Sequence, residues 1–232
     1  MKADIDIFPS LLEETPDLVY QFLHDHHVLF SHFQIDIADG LLVDGKTYSV
    51  DDWVEYIFAH PSSLLHTIPC EFHLMVQDFI PDIHTLATLG EYMDITRTII
   101  HLEALTAWYT DPGINYYEAL KEECSDFDYG IAIQADSNVS AHISQIMAFP
   151  LVQIMTVEPG GQGRPFNLKA LKHLETLDNA SFSGSTQLDG GINDITFPEV
   201  LAQQYLPNAV CPGSFLKDNT EDHYDKLKEM LQ

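Results

Sequence analysis

Two aspartates stand where this chain could move protons. Asp36 lies in the stretch Phe33-Gln34-Ile35-Asp36-Ile37-Ala38-Asp39-Gly40, whose period-two alternation is that of a strand, with Gln34 and Asp36 on one face and Asp39-Gly40 as the turn that ends it. Aspartate is disfavoured inside strands, so Asp36 needs a reason. A solvated edge strand and a carboxylate held at the mouth of a sheet or barrel both fit this stretch. Asp189 precedes Gly190-Gly191, where a turn that happens to contain an acid fits equally well.

The elements that would position such groups alternate. Strand-like runs at 5–9, 33–37, 70–76, 98–102, 129–134, 151–157, 186–188 and 209–211 are separated by amphipathic segments at 11–27, 50–59, 79–89, 116–123, 138–148, 166–177, 195–205 and 222–231. Eight strand–helix units without a long break predict an α/β fold, a (β/α)8 TIM barrel forming a single domain over 1–232. No glycine-rich fingerprint follows the first strand, which argues against a dinucleotide-binding sheet. Active sites of such barrels sit at the C-terminal ends of the strands. There the sequence places Ser10, Gln34 with Asp36, His73-Leu74-Met75, His101-Leu102-Glu103, Gln134, Met155 with the loop 158–166, Asp189-Gly190-Gly191 and Gly213-Ser214. Taken singly, each has a plain structural account: His73 and His101 as hydrogen-bonded structural residues, Met75 and Met155 as core filling, Gly160-Gly161-Gln162-Gly163 as a flexible turn. Their shared position at one end of every unit argues for a site.

Composition narrows the function classes. Acids outnumber bases 36 to 10 over 232 residues, a formal net charge of −26, so nucleic acid and anionic membrane surfaces are not expected partners. With Arg97 and Arg164 the only arginines, an anionic substrate would have to be met by backbone amides. No apolar run is long enough to span a membrane, and Met1-Lys2-Ala3-Asp4-Ile5-Asp6 lacks the basic and apolar segments of a signal peptide. Three cysteines (Cys70, Cys124, Cys211) without paired spacing point to free thiols and a cytoplasmic location.

The combination resembles the ribulose-phosphate 3-epimerase family. The matching pieces are Pro9-Ser10, Ile35-Asp36-Ile37-Ala38-Asp39-Gly40, His73-Leu74-Met75-Val76, His101-Leu102-Glu103-Ala104, Met155-Thr156-Val157-Glu158-Pro159-Gly160, Asp189-Gly190-Gly191 and Gly213-Ser214, in family order from the first strand to the last. The resemblance implies an isomerase that inverts the carbon next to the ketone of a phosphorylated ketose through an enediolate, with Asp36 and Asp189 as the acid–base pair. It implies a divalent metal, Zn or Fe/Mn, held by Asp36, His73, Asp189 and, at the fourth position, Gln34. It further implies a phosphate on Gly190, Gly191, Gly213, Ser214 and Gly160–Gly163 with Gln162, Ser10 touching substrate, Met75 and Met155 as an apolar lid, and a homo-oligomer. This sequence departs from the family at four places. Gln34 stands where the family has a metal-binding histidine; a neutral amide oxygen there leaves open a loosely held metal, a harder ion, or none. Ala38 replaces a lid methionine. The loop reads Gly160-Gly161-Gln162-Gly163-Arg164 instead of Gly-Phe-Gly-Gly-Gln, with Arg164 either on phosphate or in solvent, and Gln134-Ala135 replaces an Asn-Pro. A non-catalytic sugar-phosphate-binding descendant is the alternative. A Schiff-base aldolase fits poorly, because none of the eight lysines lies in a predicted strand.

Overall fold

The computed structural model describes residues 4–111 and 113–232; Met1–Ala3 of the N-terminal segment read above lie outside the described residues. Nine strands, all pairing in parallel, form one sheet: β1 (Asp6–Ile7), β2 (Ser10–Leu11), β3 (Phe33–Ala38), β4 (Cys70–Met75), β5 (Ile95–His101), β6 (Asp128–Ile133), β7 (Leu151–Met155), β8 (Ser185–Asp189) and β9 (Ala209–Cys211). Each neighbours the next in chain order, except that β1 pairs with β9 and β2 with β3. The sheet therefore closes through a first strand split at Phe8-Pro9. Proline has no N–H to give a ladder. Phe8 N still donates to Val210 O, and the Pro9 carbonyl accepts from Gln34 N at 2.9 Å, handing the strand from one neighbour to the other.

Helices α1 (Pro16–His26), α2 (Val50–Ala59), α3 (Ile80–Leu89), α4 (Leu102–Trp108), α5 (Tyr116–Glu123), α6 (Ile143–Ile146), α7 (Lys172–Asn179), α8 (Phe197–Leu201), α9 (Ser214–Lys217) and α10 (Thr220–Met230) connect the strands. This is the (β/α)8 barrel that the alternation predicts. Boundaries differ where local chemistry intervenes. The first helix starts at Pro16, not residue 11, because Ser10 and Leu11 complete the split strand. The expected helix at 138–148 breaks into a 3-10 turn and the single turn α6, and the one at 195–205 shortens to α8. Helices α4 and α9 are additions that the apolar periodicity does not predict. The start of α2 is fixed by a capping box, Ser49 Oγ accepting from Asp52 N while the Asp52 carboxylate accepts from Ser49 N.

Alternation along the strands divides the interior in two. Phe33, Ile35 and Ile37 of β3, with Phe72 and Leu74 of β4, face outward into the main hydrophobic core with Trp53, Ile83 and Leu86 of the helices. The alternate residues fill the barrel lumen, and these are polar: Gln34, Asp36, Glu71, His73, His101, Gln153, Gln187 and Asp189 are all buried. The solvated edge-strand account of Asp36 is thereby excluded. Among the described residues no helix is long and apolar enough to cross a membrane.

Candidate active site

The lumen residues build upward from the floor in pairs two apart on each strand. On β3 these are Gln34 and Asp36, on β4 Glu71 and His73, on β7 Gln153 and Met155, on β8 Gln187 and Asp189. Register sets Asp36 beside His73 and Met155 beside Asp189. The C-terminal end of β8 is fixed by Thr156, whose N and Oγ1 donate to the Asp189 carbonyl at 2.8 and 3.0 Å.

Asp36, His73 and Asp189 converge: each offers a ligand atom within 4.8 Å of the others. His73 Nδ1 lies 3.1 Å from Asp36 Oδ1 and 3.3 Å from Asp189 Oδ2. Ser10 Oγ donates to Asp36 Oδ2 at 2.7 Å. Gln34 Nε2 donates to both acids, 2.8 Å to Asp36 Oδ1 and 2.9 Å to Asp189 Oδ2, and Gln153 Nε2 reaches Asp189 Oδ2 at 2.9 Å. Burial opposes charge on His73, but hydrogen bonds to Asp189 and Asp36 and their negative charge outweigh it and push the imidazole up to about 9. Burial, reinforced by the charge of Asp36, raises Asp189, against the pull of His73 and Gln34. Behind His73, its Nε2 lies 2.9 Å from His101 Nε2; burial keeps His101 neutral, and its Nδ1 faces Glu103 Oε2 at 3.6 Å.

Above the carboxylates lies a cavity of about 380 Å³. Ser10, Asp36, Met75, Met155, Gly160, Gly161, Gln162, Gly163, Asp189, Gly190, Gly213 and Ser214 line it, so the structure brings together most of the residues singled out from the sequence. Gln34 and His73 sit below it, and Gly191 packs behind against Val157 and Phe166. Gly190 is obligatory as glycine: its φ is 96° and a Cβ would come within 2.4 Å of Val157 Cγ2. Gln162 Nε2 is buried at the cavity without a hydrogen-bond partner, a donor awaiting an acceptor. Arg164 takes neither of its expected places: its Nη1 donates to the carbonyls of Pro159 and Glu158 at 2.9 and 3.4 Å and braces its own loop. The space left by Ala38 is bordered by Val43, Leu42 and Leu12, which pack with Met75 into an apolar roof. The loop 39–47 that carries Val43 touches the glycine loop backbone to backbone, where a Cβ on Gly45 would fall 1.6 Å from Gly160 O.

The donor set suits a divalent cation. Two carboxylates and an imidazole nitrogen converge, and His73 can give its Nε2 hydrogen to His101, the outer contact a metal-bound histidine requires. Five residues without an assigned role from the sequence, Glu71, His101, Glu103, Gln153 and Gln187, belong to this network. Their signal was present: Glu71, Gln153 and Gln187 are each two residues before a marked residue, on the same face of the same strand.

A family model described as the ribulose-phosphate 3 epimerase family matches residues 7–210. Among solved structures, the chain is similar to 3-keto-L-gulonate-6-phosphate decarboxylase from Vibrio cholerae, at 10% identity and TM-score 0.66, covering 99% of this chain and 98% of that one. It is also similar to 3-hexulose-6-phosphate synthase from Salmonella typhimurium, at 11% identity and TM-score 0.62, covering 98% of each. KGPDC from Streptococcus mutans, solved in complex with ribose 5-phosphate, matches at 8% identity and TM-score 0.62, over 99% of this chain and 98% of that chain. At these identities the structural likeness is one of fold.

Proposed function

This chain belongs to the ribulose-phosphate 3-epimerase family, and from that premise we propose that it inverts the carbon beside the ketone of a phosphorylated ketose, ribulose 5-phosphate/xylulose 5-phosphate or a close analogue. The observation that carries the reading is the convergence of Asp36 and Asp189, from β3 and β8, on one buried locus beneath a glycine-lined cavity. A protein that merely holds a sugar phosphate has no need of two apposed carboxylates.

The proposed reaction uses few groups. The substrate phosphate lies against the amides of Gly160–Gly163, Gly190, Gly213 and Ser214, with Gln162 Nε2 supplying the side-chain donor. A sugar-phosphate ligand is also in keeping with the neighbour solved with ribose 5-phosphate. Met75 and Met155 cover the reacting carbons and exclude water from them. One carboxylate takes the proton from the carbon next to the ketone, the electron pair moving onto the carbonyl oxygen to give an enediolate. The other carboxyl returns a proton to the opposite face, and the roles exchange in the reverse direction. Because burial and the neighbouring charge raise Asp189, we assign it the proton-bearing role for one direction and Asp36 the base. Asp189 Oδ2 is taken up by two amide donors, which leaves Oδ1 for the proton. When bound, a divalent cation on Asp36, His73 and Asp189 supplies Lewis-acid stabilisation of the charge that develops on the substrate oxygens.

The test is solvent-deuterium incorporation at C3 of D-ribulose 5-phosphate, with and without Zn²⁺, Fe²⁺ or Mn²⁺. Exchange in the wild type should fall by about 10²–10⁴-fold in Asp36→Asn and in Asp189→Asn, with sugar-phosphate binding retained. Equal loss of binding and turnover would make the carboxylates structural. Binding without exchange, under any metal, would point to the non-catalytic descendant.

A further inference from the structure

The family's fourth metal ligand is a histidine, and the simplest expectation is that Gln34 takes over as a weak oxygen ligand. The lumen says otherwise. An amide nitrogen has two hydrogens to give and the amide oxygen none. Gln34 Nε2, not Oε1, faces the acids, at 2.8 Å from Asp36 Oδ1 and 2.9 Å from Asp189 Oδ2. Turning the amide over would set its oxygen against two carboxylate oxygens at those distances.

The far end of the amide fixes the same orientation. Gln34 Oε1 accepts from Gln187 Nε2 at 3.2 Å, so a turned amide would press two NH₂ groups together. Gln187 cannot turn to relieve this, because its Nε2 donates to the buried carboxylate of Glu71 at 2.6 Å and to Gln153 Oε1 at 2.7 Å. Glu71 is in turn held by Arg97 Nη1 at 3.3 Å at the floor of the barrel. Direction therefore propagates upward. The Glu71 carboxylate accepts, Gln187 gives its hydrogens to it and to its fellow amides, and the oxygens of Gln34 and Gln153 point down. Both amide nitrogens are left pointing up at the site acids, Gln153 Nε2 reaching Asp189 Oδ2 at 2.9 Å. All four ladder side chains are fully or almost fully buried, so no water competes for these bonds.

We propose that Gln34 is a positioning residue that donates hydrogen bonds to the two site carboxylates and is not a metal ligand, its orientation set by Gln187 and Glu71, so that a divalent cation is held by Asp36, His73 and Asp189 alone. The inference rests on the reading of those three residues as a metal group. It makes the ladder a rival of the cation for the same carboxylate oxygens.

The test is binding of Zn²⁺ alone to the chelator-stripped chain by calorimetry, with Co²⁺ absorption reporting the donor set and a thermal melt of each variant reporting folding. Gln34→Leu fills the space and removes the amide, and should bind Zn²⁺ within about threefold of wild type or more tightly; a loss of about tenfold or more, the size expected for a lost ligand, overturns the proposal. Gln34→His should bind at least about tenfold more tightly and shift the Co²⁺ bands, since it exchanges a competing donor for a ligand. Unchanged affinity and bands in Gln34→His would show that position 34 does not address the cation, and also overturn it. Gln187→Leu releases the Gln34 oxygen and should tighten binding, whereas an unchanged affinity would remove Gln187 and Glu71 from the account. Absence of Zn²⁺ binding in the wild type and in Gln34→His alike would bring down the underlying metal reading, a result distinct from each of the others.

Discussion

Asp189 Oδ2 receives two amide hydrogens, and the second comes from Gln153, a residue with no counterpart among the motifs that carry the family likeness. If its role is to hold that carboxylate, Gln153→Leu should lower kcat by roughly tenfold, the lower end of what loss of an outer contact costs, while KM for the sugar phosphate changes little. A matched rise in KM would instead mean that the substitution deforms the cavity. The acids, His73, the glycines and the two methionines were legible in the sequence because strand alternation and position at strand ends mark them. The rest of the network was not marked as functional, because glutamine and glutamate two residues deeper read as ordinary polar residues until the barrel closes around them. Only then does burial force each to find a partner. Arg164 was open between phosphate and solvent for a similar reason: its actual partners are the backbone carbonyls of its own loop, which no spacing rule identifies.

Among the elements, the loop 39–47 after β3 and the glycine loop after β7 meet over the cavity, and Gly45 is the contact. Gly45→Ala would place a Cβ 1.6 Å from Gly160 O, so one loop must move. Both lie at the mouth, so the cost in global stability should be about 1–3 kcal/mol, read as a lower Tm, with a larger effect on KM than on kcat. A KM that stays at the wild-type value would show that the glycine loop does not hold the phosphate. At the N-terminal end of α3, burial and the charges of Asp51, Asp39 and Asp78 push Asp82 up to about 6. An acid raised in the folded state adds stability below its unfolded value of about 4 and loses it as pH rises through 6. Asp82→Asn should therefore match the wild type near pH 4 and exceed it in Tm at pH 7.5; equal melting at both values would show that the acids around α3 do not repel. The strands and most helices were predictable from apolar periodicity. The split first strand was not, because only barrel closure shows that the chain must serve two neighbours around Pro9. Nor was α4, whose first turn follows β5 directly, without a loop to announce it.

The whole molecule carries a formal charge of −26, yet the proposed ligand is an anion. The cations near the mouth do little to reverse this. Lys217 Nζ pairs with Glu13 at 2.7 Å, and Arg164 is turned onto its own loop and Glu158. A phosphorylated sugar must therefore approach against the field of the molecule and is met by amides only on arrival. Long-range repulsion of this kind is screened with a Debye length of about 10 Å at 0.1 M salt, whereas hydrogen bonds inside the cavity are scarcely touched. Raising NaCl from about 0.02 to 0.3 M should thus increase kcat/KM for the sugar phosphate, the opposite of the salt inhibition seen when an enzyme steers its substrate by attraction. The gain should appear in KM, because kcat depends on groups buried beneath the cavity. A fall in kcat/KM with salt would mean that local positive potential at the glycine loops governs capture despite the net charge. Folding should respond in the same direction, since compaction brings the surface acids together: Tm should rise over the same salt range, and a flat Tm beside a rising kcat/KM would place the repulsion at the mouth alone.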